Sequence, residues 1–162
     1  MADQFTVAIQ KALVGRYVGL KRYTFYPVVA LGMPVGVALP HDANATAGAW
    51  GVWTQITIAA ASPQVEFWLC GCIILADATV LDEPKAIRIG RGLVADPPVA
   101  LADFMFAALV DNIATTAVHG TTQYVPYPVY NPPASPLSGQ AATPTKAVAA
   151  NITVAVLLAT GL

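Results

Sequence analysis

Phe67-Trp68-Leu69-Cys70-Gly71-Cys72-Ile73-Ile74-Leu75 carries no charge and no turn former except Gly71. Read as a strand from Val65 to Leu75, it is continuously apolar after Glu66, which suits burial on both faces. Ser62-Pro63-Gln64 supplies the turn that leads into it. Before that turn, Gly48-Ala49-Trp50-Gly51-Val52-Trp53-Thr54-Gln55-Ile56-Thr57-Ile58 reads as another strand, from Trp50 to Ala59. By the two-residue period of a strand, Trp53, Gln55 and Thr57 share one face, and Val52, Thr54, Ile56 and Ile58 the other. After a polar connector from Asp77 to Pro84, Ala86 to Gly90 reads as a third strand, with Ile87 and Ile89 inward and Arg88 outward. These three strands hold all three tryptophans and both cysteines, and they are expected to form the hydrophobic centre of a β-domain.

The flanking chain supports the same class. Tyr23 to Val37 is aromatic and β-branched, and Pro27 and Pro34 within it point to edge strands or bulges. Pro40 to Gly48 is a loop by its turn residues. Asp96-Pro97-Pro98 is a strong break. Beyond it, Leu101, Phe104, Met105, Ala108, Leu109 and Asn112 recur at helical spacing, while Phe104, Phe106 and Ala108 alternate as in a strand. A short helix and a strand are both open over residues 101–112. Thr115 to Tyr130 reads as a strand, with Val125, Tyr127 and Val129 alternating against Pro126 and Pro128, as suits an extended edge. Asn131 to Gly139 reads as a proline-stiffened loop, and Ala147 to Thr160 as the last strand. Short strands between turn signals make an all-β domain, either a β-sandwich or a jelly-roll-like barrel. The expected organisation is an N-terminal arm over residues 1–22 and one β-domain over 23–162, with a short helix near 101–112 left open beside the strand reading. The arm itself is ambiguous. Phe5, Ile9, Ala12 and Leu13 follow helical spacing, whereas Phe5, Val7 and Ile9 alternate as in a strand.

Composition narrows the function classes. The 162 residues are 56% hydrophobic but only 10% charged, against about 25% charged in an ordinary soluble domain. Such a chain lies in a membrane or has much of its surface covered by other subunits. The membrane reading fails in detail, because a spanning helix needs about 20 predominantly apolar residues. Tyr23 to Pro40 is punctuated by Pro27, Pro34 and Pro40; Asn112 to Thr145 is broken by polar residues and prolines; Ala147 to Leu162 is short and holds Asn151. No secretory leader is expected, since no basic start, apolar block and small-residue cleavage site occur in order. Assembly is the better explanation. A net charge of −1 argues against nucleic acid as partner. Lys11, Arg16, Lys21 and Arg22 nevertheless make the first 22 residues basic, against the single acid Asp3, which suits an arm that docks on an acidic neighbouring subunit.

Residues that could carry chemistry reduce to structural readings. Cys70 and Cys72 would share a face of a regular strand, but two cysteines are too few for a closed all-cysteine zinc site, and the spacing is not Cys-x-x-Cys. They are expected to be inert core thiols. His41 and His119, the only histidines, lack a second histidine at ligand spacing. Ser62, Ser135 and Ser138 all sit in proline-containing turns, and no Gly-x-Ser-x-Gly elbow occurs. Ile89-Gly90-Arg91-Gly92 has only Gly-x-Gly, and Asp96-Pro97-Pro98 blocks the helix a dinucleotide site needs. Asn44-Ala45-Thr46 and Asn151-Ile152-Thr153 match the glycosylation sequon, which carries no weight without a secretory signal. No cofactor, metal or catalytic residue is expected, and the chain is not expected to be an enzyme. Tyr124, Tyr127 and Tyr130, among Pro126, Pro128, Pro132 and Pro133, form an aromatic–proline strip, suited either to packing on its own domain or to a contact between subunits.

The strand Gly48 to Ile56, the apolar strand after it and the strand ending Ile87-Arg88-Ile89-Gly90-Arg91-Gly92 together resemble β-rich virion proteins of tailed bacteriophages. In these, a proline-bearing extended segment and a small-residue final strand often follow, here Val125 to Val129 and Asn151 to Val156. The likeness covers roughly residues 36–160; the partly helical pattern over 101–112 departs from it, and the arm is unplaced. The resemblance implies a capsid decoration (cement) protein or another minor virion component, commonly oligomeric, assembled in the host cytoplasm. Its partners would be copies of itself, in a trimer for example, and the major capsid protein. Lys11, Arg16, Lys21, Arg22, Tyr124, Tyr127 and Tyr130 are the expected interface residues. The alternative is a tail or fibre β-domain that binds a receptor or glycan.

Overall fold

The structure, a computed structural model, describes residues 22–28, 35–40, 48–77, 84–107, 117–143 and 151–161. The described strands are β1 (Arg22–Tyr26), β2 (Val37–Pro40), β3 (Thr54–Thr57), β4 (Phe67–Asp77), β5 (Lys85–Arg91), β6 (Val99–Phe106), β7 (Ala117–Asn131), β8 (Leu137–Ala142) and β9 (Asn151–Thr160). They form two antiparallel sheets. One has the order β1-β9-β4-β7, with β2 also on β9; the other has the order β3-β8-β5-β6. The chain is an all-β sandwich.

The two apolar runs decide this arrangement. β4 and β9 are neighbours along nearly their whole length, from Phe67 opposite Thr160 to Asp77 opposite Ile152. Both are central in their sheet, and every described position from Phe67 to Ile74 except Trp68 is buried. One side of this sheet, through Phe67, Leu69, Cys72, Ile74, Ile152, Val154, Val156 and Leu158, meets Ile87, Ile89, Phe104, Phe106, Leu137 and Ala141 of the second sheet. That is the core between the layers. Ile87 and Ile89 are fully buried there, as their alternation with Arg88 predicts.

Proline marks the edges. β1 and β2 lie end to end along the same edge of β9, which β1 meets over residues 156–160 and β2 over 151–154. The interruption begins at Pro27, whose carbonyl accepts a hydrogen bond from Val35 N at 2.9 Å. β7 forms the opposite edge. Its ladder to β4 jumps from Tyr124 opposite Gly71 to Val129 opposite Leu69, so residues 125–128, with Pro126 and Pro128, form a bulge in which Val125 still packs into the core. Proline has no N–H to give a ladder, which confines it to such places.

Four expectations need correction. The helix considered near 101–112 is strand through Phe106, because Phe104 and Phe106 point into the core and Asp103 lies opposite Arg88; residues 108–112 lie outside the described residues. The strand over Trp50 to Ala59 is regular only from Thr54 to Thr57, and a 3₁₀ turn occupies Ala59–Ala61. The loop assigned to Asn131–Gly139 ends at Pro136, where β8 begins in the middle of the second sheet. Finally, Cys70 and Cys72 face opposite sides. The register shift at Gly71 turns Cys70 to the outer side, with Ile73, and Cys72 to the core between the sheets.

Candidate interaction surface

The outer face of the five-stranded sheet is built row by row from the register. Tyr23, Ala159, Trp68 and Tyr130 lie side by side across β1, β9, β4 and β7. The next outward row is Phe25, Leu157, Gly71 and Tyr124. Tyr23, Phe25, Cys70, Ile73, Ala155, Leu157 and Ala159 form one buried cluster, with Trp68, Leu75 and Tyr124 partly buried against it. Two tyrosines of the aromatic–proline strip therefore belong to this face. Tyr130 sets its ring edge-on to Trp68, with centroids 5.7 Å apart, and donates its hydroxyl to Glu66 Oε1 at 3.3 Å. Tyr127, in the bulge, is 84% exposed.

An open cavity of about 670 Å³ lies at one end of this sheet. Arg22, Gln64, Val65, Glu66, Trp68 and Thr160 line it. Arg22, the last residue expected in the arm, thus shares a cavity with Glu66 and Trp68, the two residues that hold Tyr130. The Tyr130 phenol is pushed up by partial desolvation and by the Glu66 carboxylate beside it. Lys11, Arg16 and Lys21 lie outside the described residues.

The outer face of the four-stranded sheet differs. Arg88 Nε and Nη2 bind Asp103 Oδ1 and Oδ2, both at 2.8 Å, and the guanidinium lies 4.2 Å from the centroid of the Trp50 ring. A recess of about 240 Å³ beside it is lined by Trp50, Pro84, Ala86 and Met105. Met105 is 65% exposed and Val99 63%. Elsewhere on the described surface Val52, Ile58, Val65, Leu93 and Val94 are exposed as well. This many uncovered apolar side chains, with few charges between them, is a surface suited to contact.

The residues singled out for chemistry are used by the fold. Ser62 Oγ is 2.7 Å from Thr57 Oγ1 and donates to the Ile58 carbonyl, and Ser138 Oγ donates to the Gly92 carbonyl. Gly92 ends β5 with φ 136°, as the turn reading requires. His119 stands in β7 opposite Ile74, and His41 lies outside the described residues. Among the described residues no three His, Cys, Asp or Glu are grouped to hold a metal ion, and no helix is long and apolar enough to cross a membrane. Both cysteines are buried thiols outside any disulfide. Burial pushes the Cys72 thiol up, and lifts that of Cys70 from 9.0 to about 12. A thiol whose pKa rises on folding stabilises the protein fully below pH 9.0, and that contribution is lost as pH climbs toward 12. Thermal scans are accordingly expected to show a falling Tm between pH 9 and 11, with a shallower fall in Cys70→Ala; an equal fall in both proteins would show that Cys70 is not responsible.

No protein-family model, no curated protein and no solved structure matches this chain. What the sandwich does is therefore argued from its surface.

Proposed function

We propose that the chain is a structural virion protein of the capsid-decoration type, without enzymatic activity, which clamps shell subunits through apolar contacts. The observation that carries this reading is the exposed apolar surface of a chain with only 10% charged residues, from Tyr127 at 84% exposure to Met105 at 65%. Interfaces of obligate assemblies are large and apolar, like a core cut in half. Its partners are copies of itself and the major capsid protein, and its place is the virion. A protein that binds only the assembled shell stabilises that shell by mass action. The resemblance to tailed-phage virion proteins supports the same reading, as does the basic character of residues 11–22, which suits an acidic neighbour. The contact residues are Lys11, Arg16, Lys21, Arg22, Tyr124, Tyr127 and Tyr130, with Tyr127 the most exposed of the three tyrosines.

The test is the native state. Gel filtration of the isolated chain and its copy number in purified particles should show an oligomer and a fixed stoichiometry. Tyr127→Ala should weaken particle binding about thirtyfold without changing the fold, the loss expected for an aromatic anchor worth about 2 kcal/mol. A stable monomer that never associates with particles sinks the reading. A second reading, a tail or fibre domain that binds a glycan or receptor, is favoured by the cavity, where the Trp68 ring lies among the polar groups of Arg22, Gln64 and Glu66. Trp68→Ala would then abolish glycan binding and leave oligomeric state and particle stoichiometry unchanged.

A further inference from the structure

The outermost strand of a sheet offers unpaired N–H and C=O groups to any strand that meets it, unless shortness, proline, lysine or a bulge blunts it. Most outer strands here are blunted. β1, β2 and β3 have only five, four and four residues, and β7 bulges at Pro126 and Pro128. β6 is the exception. Its eight residues, Val99-Ala100-Leu101-Ala102-Asp103-Phe104-Met105-Phe106, hold no proline and no lysine. Its bulge is confined to Leu101, so residues 102–106 keep an unbroken register with β5. Among the described residues, no backbone hydrogen bond outside the ladder to β5 reaches this strand. Its one charge, Asp103, is already engaged by Arg88 through two contacts of 2.8 Å. Met105 and Val99 leave it apolar toward solvent.

We propose that β6 pairs antiparallel with β6 of a second copy across a two-fold axis at Phe104, which joins the two four-stranded sheets into one of eight strands. The same strand supplies both sides, as an isologous contact requires. The register follows from the faces. Residues directly opposite each other share one side of a sheet, so the core-facing Phe104 and Phe106 must meet core-facing residues. An axis at Asp103 would set two carboxylates against each other, and an axis at Ala102 would draw the bulge at Leu101 into the ladder. At Phe104 the whole regular stretch pairs. Phe104 meets its own copy, Ala102 meets Phe106, small against large, and Met105 meets Asp103. No like charges face each other. A partner of opposite charge is not called for either, because Asp103 is satisfied within its own chain. The pairing rests on the reading above only in giving the chain a second copy as partner, and it needs no particle.

Sedimentation equilibrium of the full chain should show a reversible dimer. Met105→Asp sets a carboxylate against Asp103 of the other copy twice in each dimer, and should raise the dissociation constant at least ~10-fold. Met105→Lys meets the same Asp103 with opposite charge, and should keep the constant within ~3-fold of the parent. Hydrogen exchange guards against misfolding. Alternate amides of residues 102–106, those aimed away from β5, should be protected in the dimer and exchange freely in Met105→Asp, while the β5 and β8 amides stay protected. A chain that stays monomeric, or assembles only as a trimer, overturns the proposal. So does a dimer that Met105→Asp leaves intact, or one that both charges weaken equally, since the contact would then lie elsewhere or in another register. Particle association decides the virion reading separately, because the dimer is measured in free solution.

Discussion

Replacing Phe67 by alanine is expected to lower the stability of the fold by about 3–5 kcal/mol, the cost of truncating a fully enclosed aromatic residue. Phe67 is 0% exposed, and it opens the central strand β4 between Thr160 on β9 and Asn131 on β7. The removed ring leaves both a lost transfer term and a cavity, because a strand held by ladders on both sides cannot shift to close the gap. A domain has only about 5–15 kcal/mol in total. The loss is thus a large fraction of what holds the chain folded. Urea unfolding should show a lower midpoint with the slope unchanged. Met105→Ala, at a 65% exposed site on β6, should stay within about 0.5 kcal/mol of the parent. A Phe67→Ala shift as small as that of Met105→Ala would mean that β4 is not the centre of the core.

The parts of the fold that were legible in the sequence are those where hydrophobicity alone specifies position. The run from Phe67 to Leu75 reads as a strand buried on both faces, and it is one. Ile87 and Ile89 against Arg88 show an inner and an outer side, and Val125 to Val129 announces an edge by its prolines. Where two periods share the same residues, pattern stops deciding. Phe104 and Met105 fit a helix, Phe104 and Phe106 a strand, and only the partner strand settles it, by placing Asp103 against Arg88. β8 is hidden for the opposite reason. Leu137-Ser138-Gly139-Gln140-Ala141-Ala142 has little strand character, yet it fills a narrow slot between β3 and β5. A Cβ on Gly139 would lie 2.9 Å from Ile56 Cδ1 and 3.0 Å from Leu39 Cδ1, so smallness rather than propensity selects this strand.

The interaction surface was legible only in part. Tyrosine and proline density points to the strip, and the structure gives its three tyrosines different surroundings. Tyr124 lies against the outer cluster, Tyr127 stands in solvent and Tyr130 is held by Trp68 and Glu66. No pattern along the chain could bring Arg22 to the same cavity as Trp68, because that neighbourhood depends on β1 and β4 flanking β9. Gln64 and Glu66 enter for the same reason, Gln64 from a turn that reads in sequence only as a connector and Glu66 from the start of what reads as the apolar strand, which in the structure begins at Phe67.

Gly71→Val is the second substitution expected to have a large effect, and it tests how the two faces of the sheet are kept apart. A Cβ at this position would stand 2.5 Å from the Gln123 carbonyl oxygen and 3.3 Å from Thr122 Cγ2. The nearest obstacle is backbone, so relief requires β7 to move off β4 rather than a side chain to turn. Overpacking of this kind costs about 1–3 kcal/mol and occasionally more, and valine should fall at or above the top of that range, with Gly71→Ala below it. The irregularity at Gly71 also sets which residues face which side. Upstream of it Trp68 and Cys70 face outward, and downstream Ile73 and Leu75 do. A strand that regularised itself by one residue would send one of these sets to the wrong face. Urea midpoints for the alanine and valine variants, read with the number of reactive thiols, separate the two responses. A lower midpoint with both cysteines protected means the bulge survives under strain, whereas a newly reactive cysteine in a folded protein means the register has slipped. A valine variant as stable as the parent would show that the close approach of β7 to Gly71 is not required.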